Sequence, residues 1–351
     1  MEGPGRVPSA RRYPTPGFAG YNVTWSPFYP DKFAVASSAN YGLVGNRRSH
    51  VVGPTSLPLK LYAESRYCFR FDTQDGIFDV AWSELHENQA VTACGDGSIK
   101  LWDVTLDDHP IRNWHEHSRE VFSVDWTNIQ KELFASASWD GSIKIVCRMS
   151  LTYQWTPERP ASIQTIMAHR ACVYRCTWSP HAPSVLATAS ADGTASIFDL
   201  RTGPRPISTM SAGGEVLAVD WNKYRPMTLA TGGTDRAVKI CEAQASRPGG
   251  LVPEKCVCFG HQYAIRGVAW SPHQSNVVAS ASYDMTARIW NIDDAAVSAQ
   301  VPMVNVPRQV YTGHREFVVS VAWSLFEPGM VATSSWDMET HLWPGIIPNT
   351  A

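Results

Sequence analysis

The chain has 351 residues, 44 % hydrophobic and 18 % charged, a composition able to bury a large core. A formal net charge of -2 excludes the broad basic surface that nucleic acid or anionic lipid selects. Arg6, Arg11 and Arg12 precede no apolar run of a secretory leader, and nothing approaches the roughly 18 apolar residues of a membrane span, so a soluble, cytoplasmic protein with no membrane insertion is expected.

A phrase of alternating apolar residues ending in tryptophan recurs in chain order: Tyr21–Pro27, Ile77–Ser83, Val121–Trp126, Val173–Pro180, Val216–Trp221, Ile265–Pro272 and Val318–Ser324. The tryptophans Trp25, Trp82, Trp126, Trp178, Trp221, Trp270 and Trp323 lie 43 to 57 residues apart, the period of a four-stranded unit with variable loops. After each of the last six phrases comes an Ala/Ser-rich strand, a tight turn holding Asp96, Asp140, Asp192, Asp235, Asp284 or Asp337, and a further strand. Period-2 alternation broken by Asp-Gly-type turns predicts strands and hairpins, not helices. The first copy is degenerate, with Ala39-Asn40-Tyr41-Gly42 where its turn should be.

These features resemble the WD-repeat family. Gly260-His261 and Gly313-His314, with Glu116-His117 and Ala168-His169 as variants, precede the first strand of their units; Trp102, Trp290 and Trp343 end the third. Thr73 and Ala212 stand where the histidine would be, and Val146 and Cys241 where the tryptophan would be. The resemblance implies an all-β, seven-bladed WD40 β-propeller. Only eight residues follow Trp343, too few for a fourth strand, so Tyr13–Phe18 is expected to supply it and close the ring through the last blade, removing an open edge. The expected organisation is a flexible arm over residues 1–12 and one propeller domain over residues 13–351.

The recurrence of His and Asp argues against catalysis, because an active site is unique while this pair repeats. The WD-repeat resemblance implies instead a buried hydrogen-bond network that locks each blade, and neither a nucleophile elbow, a metalloprotease helix nor a phosphate loop occurs. No catalytic residue, cofactor or metal site is expected. The eight cysteines, Cys68, Cys94, Cys147, Cys172, Cys176, Cys241, Cys256 and Cys258, lack zinc-ligand spacing and fit a reducing compartment; the Cys256–Cys258 pair reads as small residues sharing one strand face.

Partners of a propeller dock at one mouth, toward which two kinds of position point. Those flanking the start of strand one are Gly76 and Phe78, Glu120 and Phe122, Cys172 and Tyr174, Glu215 and Leu217, Ala264 and Arg266, Phe317 and Val319. Those before the turn aspartate are Gly95, Trp139, Ala191, Thr234, Tyr283 and Trp336. The candidate peptide-binding residues are Phe78, Glu120, Phe122, Trp139, Tyr174, Glu215, Tyr283, Phe317 and Trp336, an aromatic cluster with two acids suited to a cationic anchor.

The wording between repeats narrows the resemblance. Ala19–Gly45, Asp75–Glu84, Gly95–Asp103, Glu116–Trp126, Ser138–Ile145, Trp178–Ser190, Ser334–Trp343 and above all Gly260–Asn291 are similar to the peroxin-family receptor for the type 2 peroxisomal targeting signal. The resemblance implies a cytosolic cargo receptor, shuttling to the peroxisome, that works with a co-receptor and the import and docking machinery. Its signal would be N-terminal and helical: an Arg-aliphatic pair, five residues, then His or Gln and Leu or Ala. At about 100° per residue those four positions share one helix face and span about 12 Å. The Arg would face Glu120 or Glu215, and its neighbour the rings of Phe122, Trp139 and Tyr174. The insertions Gln244–Glu254 and Asp293–Arg308 are candidates for the co-receptor patch. Because propellers carry many roles, a general WD-repeat adaptor, such as a ubiquitin-ligase substrate receptor or a chromatin reader, stays open.

Overall fold

The computed structural model describes residues 10–39, 47–52, 67–73, 75–106, 109–147, 162–243, 250–252, 254–292 and 303–345. Their strands form seven sheets of four or five strands, and the fold is an all-β WD40 propeller. The third sheet is representative, an antiparallel run of Val121–Trp126, Leu133–Ser138, Ser142–Cys147 and Gln164–Met167. The inner strands of the seven sheets are Ala19–Trp25, Ile77–Trp82, Val121–Trp126, Val173–Trp178, Val216–Trp221, Ile265–Trp270 and Val318–Trp323. Together they line a central channel.

The recurring tryptophan has a definite task. Its ring is buried in every copy. In five copies its indole N–H donates to a carbonyl of the preceding sheet: Trp82 to Thr24, Trp178 to Asp125, Trp221 to Thr177, Trp323 to Ala269 and Trp25 to Ala322, at 3.0 to 3.4 Å. One residue type thus supplies apolar area and a stitch between sheets. Second strands are rich in Ala and Ser because neighbours press on both faces; Ala135, Ala137, Ala187, Ala189, Ala279 and Ala281 are fully buried.

The His/Asp recurrence forms a clamp. His117, His169, His261 and His314 engage Asp140, Asp192, Asp284 and Asp337 through Nδ1 at 2.8 to 2.9 Å, and a Ser or Thr of strand two through Nε2 at 2.7 to 2.9 Å. Burial is the largest single effect and pushes these carboxyls up, but hydrogen bonds from the histidine and from neighbouring hydroxyl or amide groups, with the histidine's charge, together outweigh it and hold all four below the usual carboxylate range. Where histidine is missing, a lysine takes the aspartate: Lys100 reaches Asp96 at 2.9 Å and Lys239 reaches Asp235 at 3.0 Å. The turn residue after the aspartate is left-handed throughout, as Gly97, Gly141 and Gly193 but also as Arg236, Met285 and Met338.

Two features differ from the sequence expectation. The added strand of the last sheet is Arg11–Pro14, pairing antiparallel with Glu339–Pro344, so it starts two residues inside the segment read as an arm. The insertions around residues 244–254 and 293–308 reach back to the preceding sheet: Gly250–Leu251 runs parallel to Ser208–Ser211, and Met303–Asn305 parallel to Glu254–Phe259. No hydrophobic alternation marks such two- or three-residue edge strands. The degenerate first turn falls largely outside the described residues, and so does most of each insertion. Cys94, Cys172, Cys176, Cys241, Cys256 and Cys258 are free, with Cys256 and Cys258 fully buried.

Candidate ligand-binding cup

The inner strands carry a β-bulge four residues before the tryptophan in every sheet. Register shifts between Gly20 and Asn22, Ile77 and Asp79, Val121 and Ser123, Val173 and Arg175, Val216 and Ala218, Ile265 and Gly267, and Val318 and Ser320. The residue left unpaired is Tyr21, Phe78, Phe122, Tyr174, Leu217, Arg266 or Val319. A bulge re-aims a side chain, and here all seven side chains line one cup of about 610 Å3 at the channel's mouth.

Eight of the nine candidate residues meet there: Phe78, Glu120, Phe122, Trp139, Tyr174, Glu215, Tyr283 and Trp336 line the cup. Phe317 stands behind this wall, its ring centroid 5.0 Å from Tyr283 and 5.3 Å from Trp336. The rings touch in sequence. Trp336 lies 5.9 Å from Tyr21, Tyr21 5.2 Å from Phe78, and Phe78 stacks on Phe122 at 4.4 Å, which stacks on Trp139 at 4.8 Å and meets Tyr174 edge-on at 6.0 Å. This aromatic arc leaves a gap at the fifth sheet, which contributes Glu215, Leu217 and Thr234. Tyr21 was absent from the candidates. Its alignment with Phe78 and Phe122, each four residues before the repeated tryptophan, was the signal.

The charged groups are placed unevenly. Glu120 is half-buried and lies 3.8 Å from the exposed Arg119, a pair that solvent weakens. Glu215 is exposed and accepts from the Tyr174 hydroxyl at 3.2 Å; burial first, then this carboxylate, push that phenol up to about 12. Arg266 crosses the floor, its guanidinium 5.7 Å from the Phe122 ring and 6.0 Å from Tyr174, and donates to the Leu217 carbonyl at 3.2 Å. Below it Asp79, 1 % exposed, accepts from Arg175 at 2.8 Å and from the Val124 amide at 3.0 Å, with Asn22 also donating to it. This polar belt ties the first four inner strands together just under the cup.

Chemically the cup can hold an apolar surface against flat rings and a cation against two carboxylates. Among the described residues one His/Asp group has the spacing to take a cation, His314, Asp337 and His341, but it belongs to the clamp. Its ring nitrogens are occupied by Asp337, Thr333, Tyr311 and Glu339 at 2.8 to 2.9 Å.

Repeat chemistry and fold define a WD-repeat protein: the WD domain, G-beta repeat matches residues 65–103, 108–146, 160–199, 254–291 and 305–344. The two copies passed over are the first, with its degenerate turn, and the fifth, which lacks both histidine and terminal tryptophan. The chain is 36 % identical over 386 residues to the "Peroxisomal targeting signal 2 receptor" of Saccharomyces cerevisiae, covering 95 % of this chain and 99 % of that protein. It is 34 % identical to the protein of that name from Mus musculus, over 94 % and 95 % of the two chains. With "Peroxisome biogenesis protein 7" of Arabidopsis thaliana the identity is 37 %, over 93 % and 95 %. The chain belongs to the family of peroxisomal targeting signal 2 receptors, WD-repeat receptors that are not enzymes.

Proposed function

We propose that the protein is a cytoplasmic receptor that binds the helical type 2 targeting signal of peroxisomal matrix proteins in this cup. With a co-receptor it delivers them to the peroxisomal import and docking machinery. The observation that carries the reading is the continuous aromatic arc flanked by Glu120 and Glu215. A signal helix lays its aliphatic residues on the rings and its Arg against a carboxylate, a helix-in-groove mode with a charge-assisted anchor. The scaffold is read as one domain, a seven-bladed ring closed by the N-terminal strand. Seven sheets, the Trp25–Ala322 hydrogen bond between first and seventh sheets and the pairing of Arg11–Pro14 with Glu339–Pro344 support that closure.

The test is fluorescence anisotropy of a labelled signal peptide with the purified chain, with and without the candidate co-receptor. Changing the peptide's Arg to Ala, or Glu120→Ala or Glu215→Ala in the chain, should weaken binding about tenfold or more. Glu242→Ala, at the far end of its strand from the cup, should leave it unchanged. Equal affinity for every peptide and variant would point to a WD-repeat adaptor with another client.

A further inference from the structure

The channel's other end repeats the same seven-fold logic with different residues. The turn after each inner strand carries its third residue past the tryptophan outward: Phe28, Leu85, Ile129, His181, Tyr224, His273 and Phe326. In the fourth, fifth and sixth sheets this residue bridges forward to the next sheet. His181 Nε2 meets the Asn222 carbonyl at 2.9 Å, the Tyr224 hydroxyl donates to the Pro272 carbonyl at 2.7 Å, and His273 Nε2 meets the Ser324 carbonyl at 3.1 Å. In the seventh, first, second and third sheets, which follow one another around the ring, it is apolar. Phe326 with its neighbour Leu325, then Phe28, Leu85 and Ile129, are 38 to 46 % exposed. Scattered surface hydrophobics need no explanation, but a run across four consecutive turns marks an interaction surface.

Charge divides the face along the same line. The four apolar turns hold Asp31, Glu84, Glu87, Glu132 and Glu327 against two lysines, Lys32 and Lys131. Lys32 lies over the Tyr29 ring at 4.0 Å, and Arg11 approaches Glu327 only at 3.8 Å between exposed side chains. The other three turns hold Lys223 and Arg225 and no acid. An apolar stripe bordered by carboxylates complements an amphipathic helix with basic flanks, and its carboxylates disfavour an anionic lipid surface.

We propose that this arc is a docking site for an amphipathic helix of a protein partner, apolar on one face and basic on its flanks, on the side of the propeller opposite the cup. A partner held there leaves the cup open, so two ligands can be carried at once. The inference stands whether or not the cup reads the targeting signal.

The probe is a labelled synthetic 18-residue helix of Leu and Lys with leucines on one face, tested against the whole chain by anisotropy. Leu85→Ser combined with Phe326→Ser should weaken it about tenfold or more, and Glu84→Gln with Glu87→Gln and Glu327→Gln should weaken it further. Phe122→Ala and Trp139→Ala in the cup should not. A matched Leu/Glu helix should bind far less well to the unaltered chain. Loss of the probe on the cup changes, but not on the arc changes, overturns the proposal. So does self-association in sedimentation that the arc changes abolish, because the occupant would then be a second copy. Leu85 and Phe326 are 43 % and 46 % exposed, so thermal unfolding of their Ser variant should match the parent and serve as the folding control. Glu84 is half-buried and Glu87 accepts from the Tyr29 hydroxyl at 2.5 Å, so the Gln variant should unfold cooperatively within a few degrees of the parent.

Discussion

The two ends of the channel are built from the same repeated phrase but put to different use. At the cup, the residue four positions before the tryptophan is expelled by a bulge in all seven sheets, and five of the seven are Tyr, Phe or Arg. At the far end, the residue three positions past the tryptophan divides into three that hydrogen-bond the next sheet and four that do not. Positions freed from holding sheets together are those at which side chains become available for binding. The same repeat therefore yields two faces of different chemistry without altering the frame.

The largest effect should come from the belt between the two ends. Asp79→Ala leaves Arg175 without its buried carboxylate and removes acceptors for Asn22 and the Val124 amide. Breaking a fully buried pair on one side costs about 3–5 kcal/mol. Because a third of the Arg175 side chain is exposed, the loss should fall at or below the lower end of that range, and chemical denaturation should show it together with weakened ligand binding at the cup. Next in size is the cup wall. Trp139→Ala removes a ring stacked 4.8 Å from Phe122 and should cost about 2 kcal/mol of signal-peptide affinity. Leu85→Ser at the far end should leave that affinity untouched, and equal losses from both would erase the distinction between the faces.

Two buried groups in different sheets respond to acid in opposite directions. At the far opening burial pushes the Asp125 carboxyl up to about 6, against the Trp178 amide that donates to it at 2.6 Å. The folded chain then keeps a proton that the unfolded chain gives up near 3.8, so this group removes stability as pH rises from about 4 to 6. Asp125→Asn should be more stable than the parent at pH 7, with the gap closing toward pH 4. In the last sheet burial, then the neighbouring His314, push His341 down to about 4. The unfolded chain takes up that proton near 6.5, so stability falls as pH drops from 6.5 to 4, and His341→Gln should flatten that window. Asp337, held down to about 2, acts only at lower pH.

The fold was legible because Trp25 to Trp323 recur every 43 to 57 residues and Asp96 to Asp337 mark one turn, signals that need no tertiary knowledge. Most of the cup was legible for the same reason, since Phe122 and Trp139 occupy fixed places in the repeat. Tyr21 escaped because its unit lacks the marker turn. The bulges were hidden, since alternation alone reads straight through Val121–Trp126 and does not reveal that Phe122 is squeezed out of register. The parallel edge strands were hidden too, being two or three residues long and held by backbone pairing to another repeat's sheet.

The smallest prediction concerns a cost the frame carries in only some sheets. The turn residue after the aspartate has φ of 82° to 83° as Gly97, Gly141 and Gly193, but 63° to 64° as Arg236, Met285 and Met338. A side chain in the left-handed region costs on the order of 1 kcal/mol, while glycine adopts it freely but loses more chain entropy on folding. Met285→Gly should therefore stabilise the chain by somewhat under about 1 kcal/mol, seen as a small rise in unfolding midpoint. Gly141→Met should do the reverse and by more, because a Cβ there would sit 2.9 Å from the His169 carbonyl oxygen. The asymmetry would show that the later sheets have already adjusted their turn to a side chain, and that the earlier ones have used the glycine to draw the clamp's loop in close.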